Sequence, residues 1–330
     1  MQTNKVSDSS DALISLIEVV KQCYQPVSRP VTRGKKPDFS DLSFLLLAVT
    51  AVVIKTFSDS ELHRLLKQDT GLLMALEFPR VPHRTTIGRR IKNLIDPAEQ
   101  QISLFGKQIL SEIKSDDDQV ACVSATDGRM YESNGPLWHK KDRVKDQIPP
   151  RLRNVDRESS WSKSGYRGWI QGYRLIVQSL VFPEPVPLFS VWRKNSRNEA
   201  ECLLPELDQN RFQITSVNLG DARLADLELP AEYRLKGGYL LTSKELPKQR
   251  RSWKTDLFAY RKETIELLFQ RIIQAFDLKK CKVKGLHKNG AFVLATVWVY
   301  QICFMQNYKN QKPLAVIKEQ IEKARWRIKI

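Results

Sequence analysis

The chain predicts an α/β protein: a mixed sheet flanked by helices, preceded by a helical N-terminal domain. Three observations carry that expectation. Apolar residues recur at helical spacing through residues 1–119. From residue 120 onward, short apolar runs bounded by turn residues alternate with helical stretches. The composition, 42% hydrophobic and 28% charged over 330 residues, suits a chain able to bury a sizeable core and excludes a disordered one.

Taken in order, Ser10 and Asp11 can cap a first helix that places Leu13, Ile14, Ile17 and Val20 at helical spacing. Residues 25–37 hold three prolines and read as a loop. A strongly apolar helix follows over 42–56, after Asp38 and Asp41. Another begins at 58–61, where serine or aspartate caps and Glu61 complements the positive end. The Phe-Pro-Arg-Val-Pro run at 78–82 breaks the pattern and 85–94 resumes it. That last stretch reads in two ways. Either it is a recognition helix with Arg89, Arg90 and Lys92 towards DNA phosphates, or an amphipathic helix packed on its predecessors.

The acidic run at 115–119 is the natural boundary. Beyond it, strands are expected at 120–126, 169–177, 186–192, 215–219 and 237–244. Helices are expected at 198–207, from 224 onward, and over 257–276, where Ile265, Leu268, Phe269, Ile272 and Ile273 share a face. The expected organisation is a helical domain at 1–119, an α/β domain at 120–308 and a basic amphipathic tail at 309–330.

The longest apolar runs, 44–54 and 291–304, fall short of the roughly 20 residues a membrane span needs. The opening residues have neither a basic leader nor a cleavage motif, which gives the expectation of a cytoplasmic protein. Five scattered cysteines without a C-x-x-C, and four histidines far from them, argue against a disulfide framework or a zinc site. Net charge is +17, unevenly spread. Residues 1–120 carry 16 basic and 15 acidic side chains; residues 121–330 carry 38 and 22. A basic field confined to one part of the chain suits a polyanion.

Within that basic part three acids stand out. Asp127 and Asp221 each follow a predicted strand, where an α/β sheet presents functional side chains. Glu266 borders the apolar stripe of the long helix. Three carboxylates from separate segments can converge on hard divalent cations. Two ions roughly 4 Å apart can then serve in-line phosphoryl transfer. Each acid also has an ordinary reading: the aspartates as turn formers or caps, Glu266 as a solvated partner of Lys262.

The blocks Asp127-Gly128, Gly172-Tyr173-Arg174-Leu175, Asn198-Glu199-Ala200, Gly220-Asp221 and the run from Tyr260 to Phe269 come in an order that resembles DDE transposases of bacterial insertion sequences. Phe276-Asp277-Leu278, Gly285-Leu286 and a closing apolar helix extend the resemblance over about 121–305. It implies an RNase H-like fold, Asp127, Asp221 and Glu266 as the catalytic and metal-binding triad, and two Mg²⁺ ions for which Mn²⁺ can substitute. It further implies cleavage at element ends and strand transfer into target DNA, by a homodimer in the DNA complex, in a bacterial cytoplasm near the nucleoid. Family members often carry a tyrosine seven and a basic residue four positions before the glutamate, and a lysine seven after it. Here those places are Ala259, Lys262 and Ile273.

The short interval between Asp221 and Glu266 leaves room for one short connection, at about 245–256, in place of a large β-insertion. Segment 248–288, with 12 basic and 4 acidic residues, is the expected backbone-contact region. Arg174, Lys262, Arg271, Lys282 and Lys284, with Arg89 and Arg90 from the N-terminal part, are the expected DNA contacts. Trp138, Trp161, Trp169 and Trp253, interleaved with basic residues, suit base stacking or core packing. Two alternatives share the fold: a nuclease that cuts without joining, and a DNA-binding remnant with a decayed site.

Overall fold

The computed structural model describes residues 7–26, 38–117, 122–150, 152–165, 167–247, 252–314 and 316–325. The expected domain boundary at 119–120, residues 27–37 of the proline-containing loop, 248–251 of the connection before the long helix and 326–330 of the tail lie outside them.

Helices come first: α1 (Ser7–Gln22), α2 (Asp41–Val53), α3 (Asp59–Gln68), α4 (Thr70–Ala75), α5 (Arg84–Lys92) and α6 (Ile95–Asp116). Ser40 caps α2 by accepting from the Ser43 N–H, and Asp69 caps α4 through the Leu72 N–H. Next come β1 (Val123–Glu132), α7 (Lys140–Val144), β2 (Ser160–Ser164), β3 (Gly168–Leu180), β4 (Val186–Lys194), α8 (Glu199–Asp208), β5 (Val217–Gly220), α9 (Leu229–Leu235) and β6 (Tyr239–Thr242). Three helices close the chain: α10 (Trp253–Phe276), α11 (Leu286–Lys309) and α12 (Ile317–Arg325).

The sheet runs β4–β3–β1–β5–β6, with β2 beside the first part of β3. Strands β4, β3 and β1 are antiparallel, while β1, β5 and β6 are parallel. This is the mixed sheet flanked by helices that the sequence predicts. Its faces alternate as strand geometry requires. Leu175 and Val177 of β3 point into the larger core, and Ile176 between them points into a smaller one with Ala200, Leu203 and Tyr233 from α8 and α9. Helices thus cover both faces.

Two strands differ from the sequence expectation, and the helix expected from 224 onward begins at Leu229, after a 3₁₀ turn over Ala222–Ala225. The strand expected to end at Asp127 continues to Glu132, because β3 goes on pairing with β1 after β5 has ended. The hairpin strand β2 carries too little apolar alternation to be read from Ser-Trp-Ser-Lys-Ser. The connection before α10 is short, with no strand described in it, as expected.

The larger core is continuous between the N-terminal helices and the sheet. It joins Ile17, Leu46 and Ile109 to Leu175, Leu219 and Phe304. Helix α11 is buried on all sides over most of its length, packed against α2, α5, α6 and β4. A helix apolar all round belongs inside such a core. Polar pins fix it there: the Gln301 side-chain amide donates to the carbonyls of Ile102 in α6 (3.0 Å) and Pro187 in β4 (2.8 Å). Helix α6 lies so close to β4 that a Cβ on Gly106 would meet the Leu188 carbonyl. No helix of the described residues is long and apolar enough to cross a membrane.

Candidate metal and catalytic centre

Sheet register brings the two aspartates together. Ala125 of β1 pairs with Leu219 of β5 in parallel. Asp127 and Asp221 each lie two residues beyond that pair, so alternation sends both side chains to the same face at the same level. Each is then fixed by its own backbone. Asp127 Oδ1 accepts from the Gly128 N–H at 2.8 Å. Asp221 Oδ1 accepts from the Arg223 N–H at 2.9 Å, capping the 3₁₀ turn Ala222–Ala225. The ordinary reading of Asp221 as a cap therefore holds, and the cap leaves its carboxylate beside Asp127.

A third carboxylate joins them, and it is Glu199. Oxygen atoms of Asp127, Glu199 and Asp221 all lie within 4.8 Å of one another. Glu199 is the first residue of α8, set there by the Asn198 cap, whose side chain accepts from the Ala200 N–H. Its side chain is only 3% exposed. Gly128 makes room for it: a Cβ at that position would come within 2.7 Å of Glu199 Oε1 and 2.9 Å of Arg174 Cδ.

Arginines balance this negative charge. Arg174 donates to Glu199 Oε1 at 2.8 Å, Arg261 pairs with Asp127 Oδ2 at 3.0 Å, and Arg223 lies 3.9 Å from Glu199. Burial pushes the Asp127 carboxyl above the usual carboxylate range, with Arg261 opposing. Burial, helped by the two aspartates, pushes Glu199 up to about 7 against the pull of Arg174.

Glu266, on α10, lines a groove of about 540 Å³ together with Asp127, Arg129, Arg167, Phe269 and Lys279. Its side chain is 66% exposed and lies 4.0 Å from Lys262 Nζ. The structure brings Glu266 to the same groove as Asp127, and it places Glu199 against both aspartates. Sequence reasoning passed over Glu199 because a glutamate in a first helical turn is the usual complement to the helix dipole. Its signal was the block Asn198-Glu199-Ala200 itself.

The expected DNA contacts divide into two groups. Lys262, Lys284 and Arg89 are exposed. Lys282 is half-buried near Asp277. The others are committed inside the protein. Arg174 is buried on Glu199. Arg90 bonds Asp41 and the Phe39 carbonyl and lies over the Phe44 ring. Arg271 pairs with Glu184 at 2.7 Å. Among the tryptophans, Trp138 is buried with its indole on the Gln147 carbonyl, whereas Trp169 and Trp253 are 65% and 60% exposed.

No family model matches the chain, and no curated protein sequence is similar to it. Among solved structures, the chain has slight similarity to the Mos1 transposase paired-end complex with the left transposon end. That match has 12% identity and a TM-score of 0.23 over 86% of this chain and 84% of the other. The Mos1 strand transfer complex gives 13% and 0.23 over 83% and 80%, and a pre-cleavage Mos1 transpososome gives 11% and 0.20 over 86% and 84%. A likeness this slight carries no weight for the site, which rests on the geometry above.

Proposed function

We propose that the protein is a DNA transposase of the DDE type, cleaving DNA at the ends of a mobile element and joining those ends to a target by metal-dependent phosphoryl transfer. The observation that supports it most is the meeting of Asp127 and Asp221 at one level of an RNase H-like sheet, with a third carboxylate within 4.8 Å. The donor set fits a hard divalent cation: every ligand atom is a carboxylate oxygen, and no histidine or cysteine belongs to the group. Mg²⁺ is the fitting ion, with Mn²⁺ as its substitute. Asp127 and Asp221 would hold the ions, and Glu266 would join them only once DNA occupies the groove.

When bound, the ions supply Lewis acidity at the phosphate and ease proton loss from the attacking hydroxyl. The remaining work belongs to the chain. Backbone N–H groups of Gly128 and Arg223 keep the two aspartates oriented. Phe269 and Ile265 give the groove an apolar wall that limits water. Arg129, Arg167 and Lys279 line it with positive charge for a phosphodiester. Lys262, Lys282, Lys284 and Arg89 would contact backbone further out. Two element ends must be held together, so a homodimer on DNA is the working assembly, in a bacterial cytoplasm beside the nucleoid.

The test uses a supercoiled plasmid carrying the genomic segment that encodes this chain with its flanks. With Mg²⁺ or Mn²⁺ the protein is expected to nick at the flanks and to yield joined products. Asp127→Asn and Asp221→Asn should abolish both while leaving DNA binding intact. Cleaved ends that never join would identify a nuclease, and undiminished cleavage by Asp127→Asn would refute the reading.

A further inference from the structure

We infer that Glu199 is a metal ligand of this centre, its inner carboxylate, and that it binds the cation with Asp127 and Asp221 before DNA arrives and without help from Glu266. The inference rests on the metal-dependent reading above and assigns a role that the transposase resemblance leaves to Glu266.

Two independent observations carry it. The first is position: a Glu199 oxygen lies within 4.8 Å of oxygens from both aspartates, whereas Glu266 belongs to no such group among the described residues. The second is an unfilled valence. Arg174 occupies Glu199 Oε1, but Oε2 is buried and accepts no hydrogen bond. A buried carboxylate oxygen without a donor is costly, and proteins keep one where something else satisfies it. A cation between the three carboxylates would do so.

The surroundings hold the Glu199 side chain in place through its other oxygen, Oε1. Arg174 is held by the Ser162 hydroxyl (3.3 Å) and the Arg197 carbonyl (3.4 Å) as well as by Glu199, so the guanidinium is anchored from β2 and from the loop before α8. Gly128 removes the one Cβ that would push the pair away. Glu266, mostly exposed beside Lys262, has no comparable restraint. It is suited to act once a DNA strand has entered the groove.

The experiment measures Mn²⁺ binding to the full-length, DNA-free protein by electron paramagnetic resonance of free Mn²⁺, with the metal-induced rise in Tm as a second readout. Wild type and Glu266→Gln should bind alike. Glu199→Gln should bind at least about tenfold more weakly and lose most of the Tm rise, since perturbing the shell of a metal site costs roughly 10–100-fold. Should Glu199→Gln unfold because Arg174 is left unpaired, the double variant Arg174→Met/Glu199→Gln removes both charges and is held to the same expectation. Binding within twofold of wild type by a folded Glu199 variant, with Asp127→Asn still defective, overturns the inference and leaves the metal reading standing. Undiminished binding by Asp127→Asn removes the metal reading itself.

Discussion

Replacing Arg261 by methionine probes the electrostatics of the centre most directly. Two like unit charges 4.8 Å apart repel by about 3 kcal/mol at an effective dielectric constant near 20. The centre holds three such pairs, offset by Arg174, Arg261 and the more distant Arg223. Arg261 is largely buried and contacts Asp127 at 3.0 Å, so its removal uncovers one carboxylate while methionine retains most of the stem volume. Most of the uncovered repulsion is relieved by water and side-chain relaxation, leaving about 1–2 kcal/mol of destabilisation in metal-free protein. For a chain of 330 residues that is a fall of roughly 1.5–3 °C in Tm. Metal binding changes in the opposite direction. In wild type the proposed cation would compete with Arg261 for the Asp127 carboxylate; in the variant it would meet an uncovered site. Recovery of about 1.4 kcal/mol corresponds to tenfold tighter Mn²⁺ binding. Thermal melts with and without Mn²⁺, beside a resonance titration, measure both effects. A variant that binds Mn²⁺ no more tightly than wild type would refute this account of the charge balance.

Three further outcomes are expected. Gly106→Ala should lower stability by about 1–3 kcal/mol or prevent folding, since the new methyl meets the Leu188 backbone and α6 cannot retreat without unpacking α11; chemical denaturation measures it. DNA affinity should fall steeply with salt, and Lys262→Gln/Lys284→Gln should reduce the slope of log K against log salt by about 1 for each phosphate no longer neutralised, while weakening all sequences alike. Native thiol titration at pH 8 should spare Cys202, Cys281 and Cys303, whose burial pushes all three thiols up, to about 11 for Cys202 and about 12 for Cys303. All five should react after denaturation.

How far the residues announced this arrangement depends on which force placed them. Asp127 and Asp221 were legible because a short apolar run before a carboxylate marks a strand near the sheet's functional edge. Asp127-Gly128 nonetheless read as the end of its strand, since Asp-Gly favours turns. Pairing with β3, set by residues some fifty positions downstream, extends it instead. Arg174 and Arg90 looked like surface cations because nothing local tells a solvated arginine from one whose carboxylate partner arrives from another element. Glu199 and Asp41 are those partners. The two longest apolar runs were legible as helices, and their burial together follows from having no polar face to offer water.

The placement of α11 has a wider implication for the proposed binding of DNA. Its shaft touches the N-terminal bundle on one flank and the sheet on the other, with Gln301 stitching both to it. The exposed basic edge of α5 and the acidic hollow beside β1 are therefore parts of a single block. On the proposed function, a duplex spanning them would follow a path set by this one block rather than draw two loosely tethered lobes around itself.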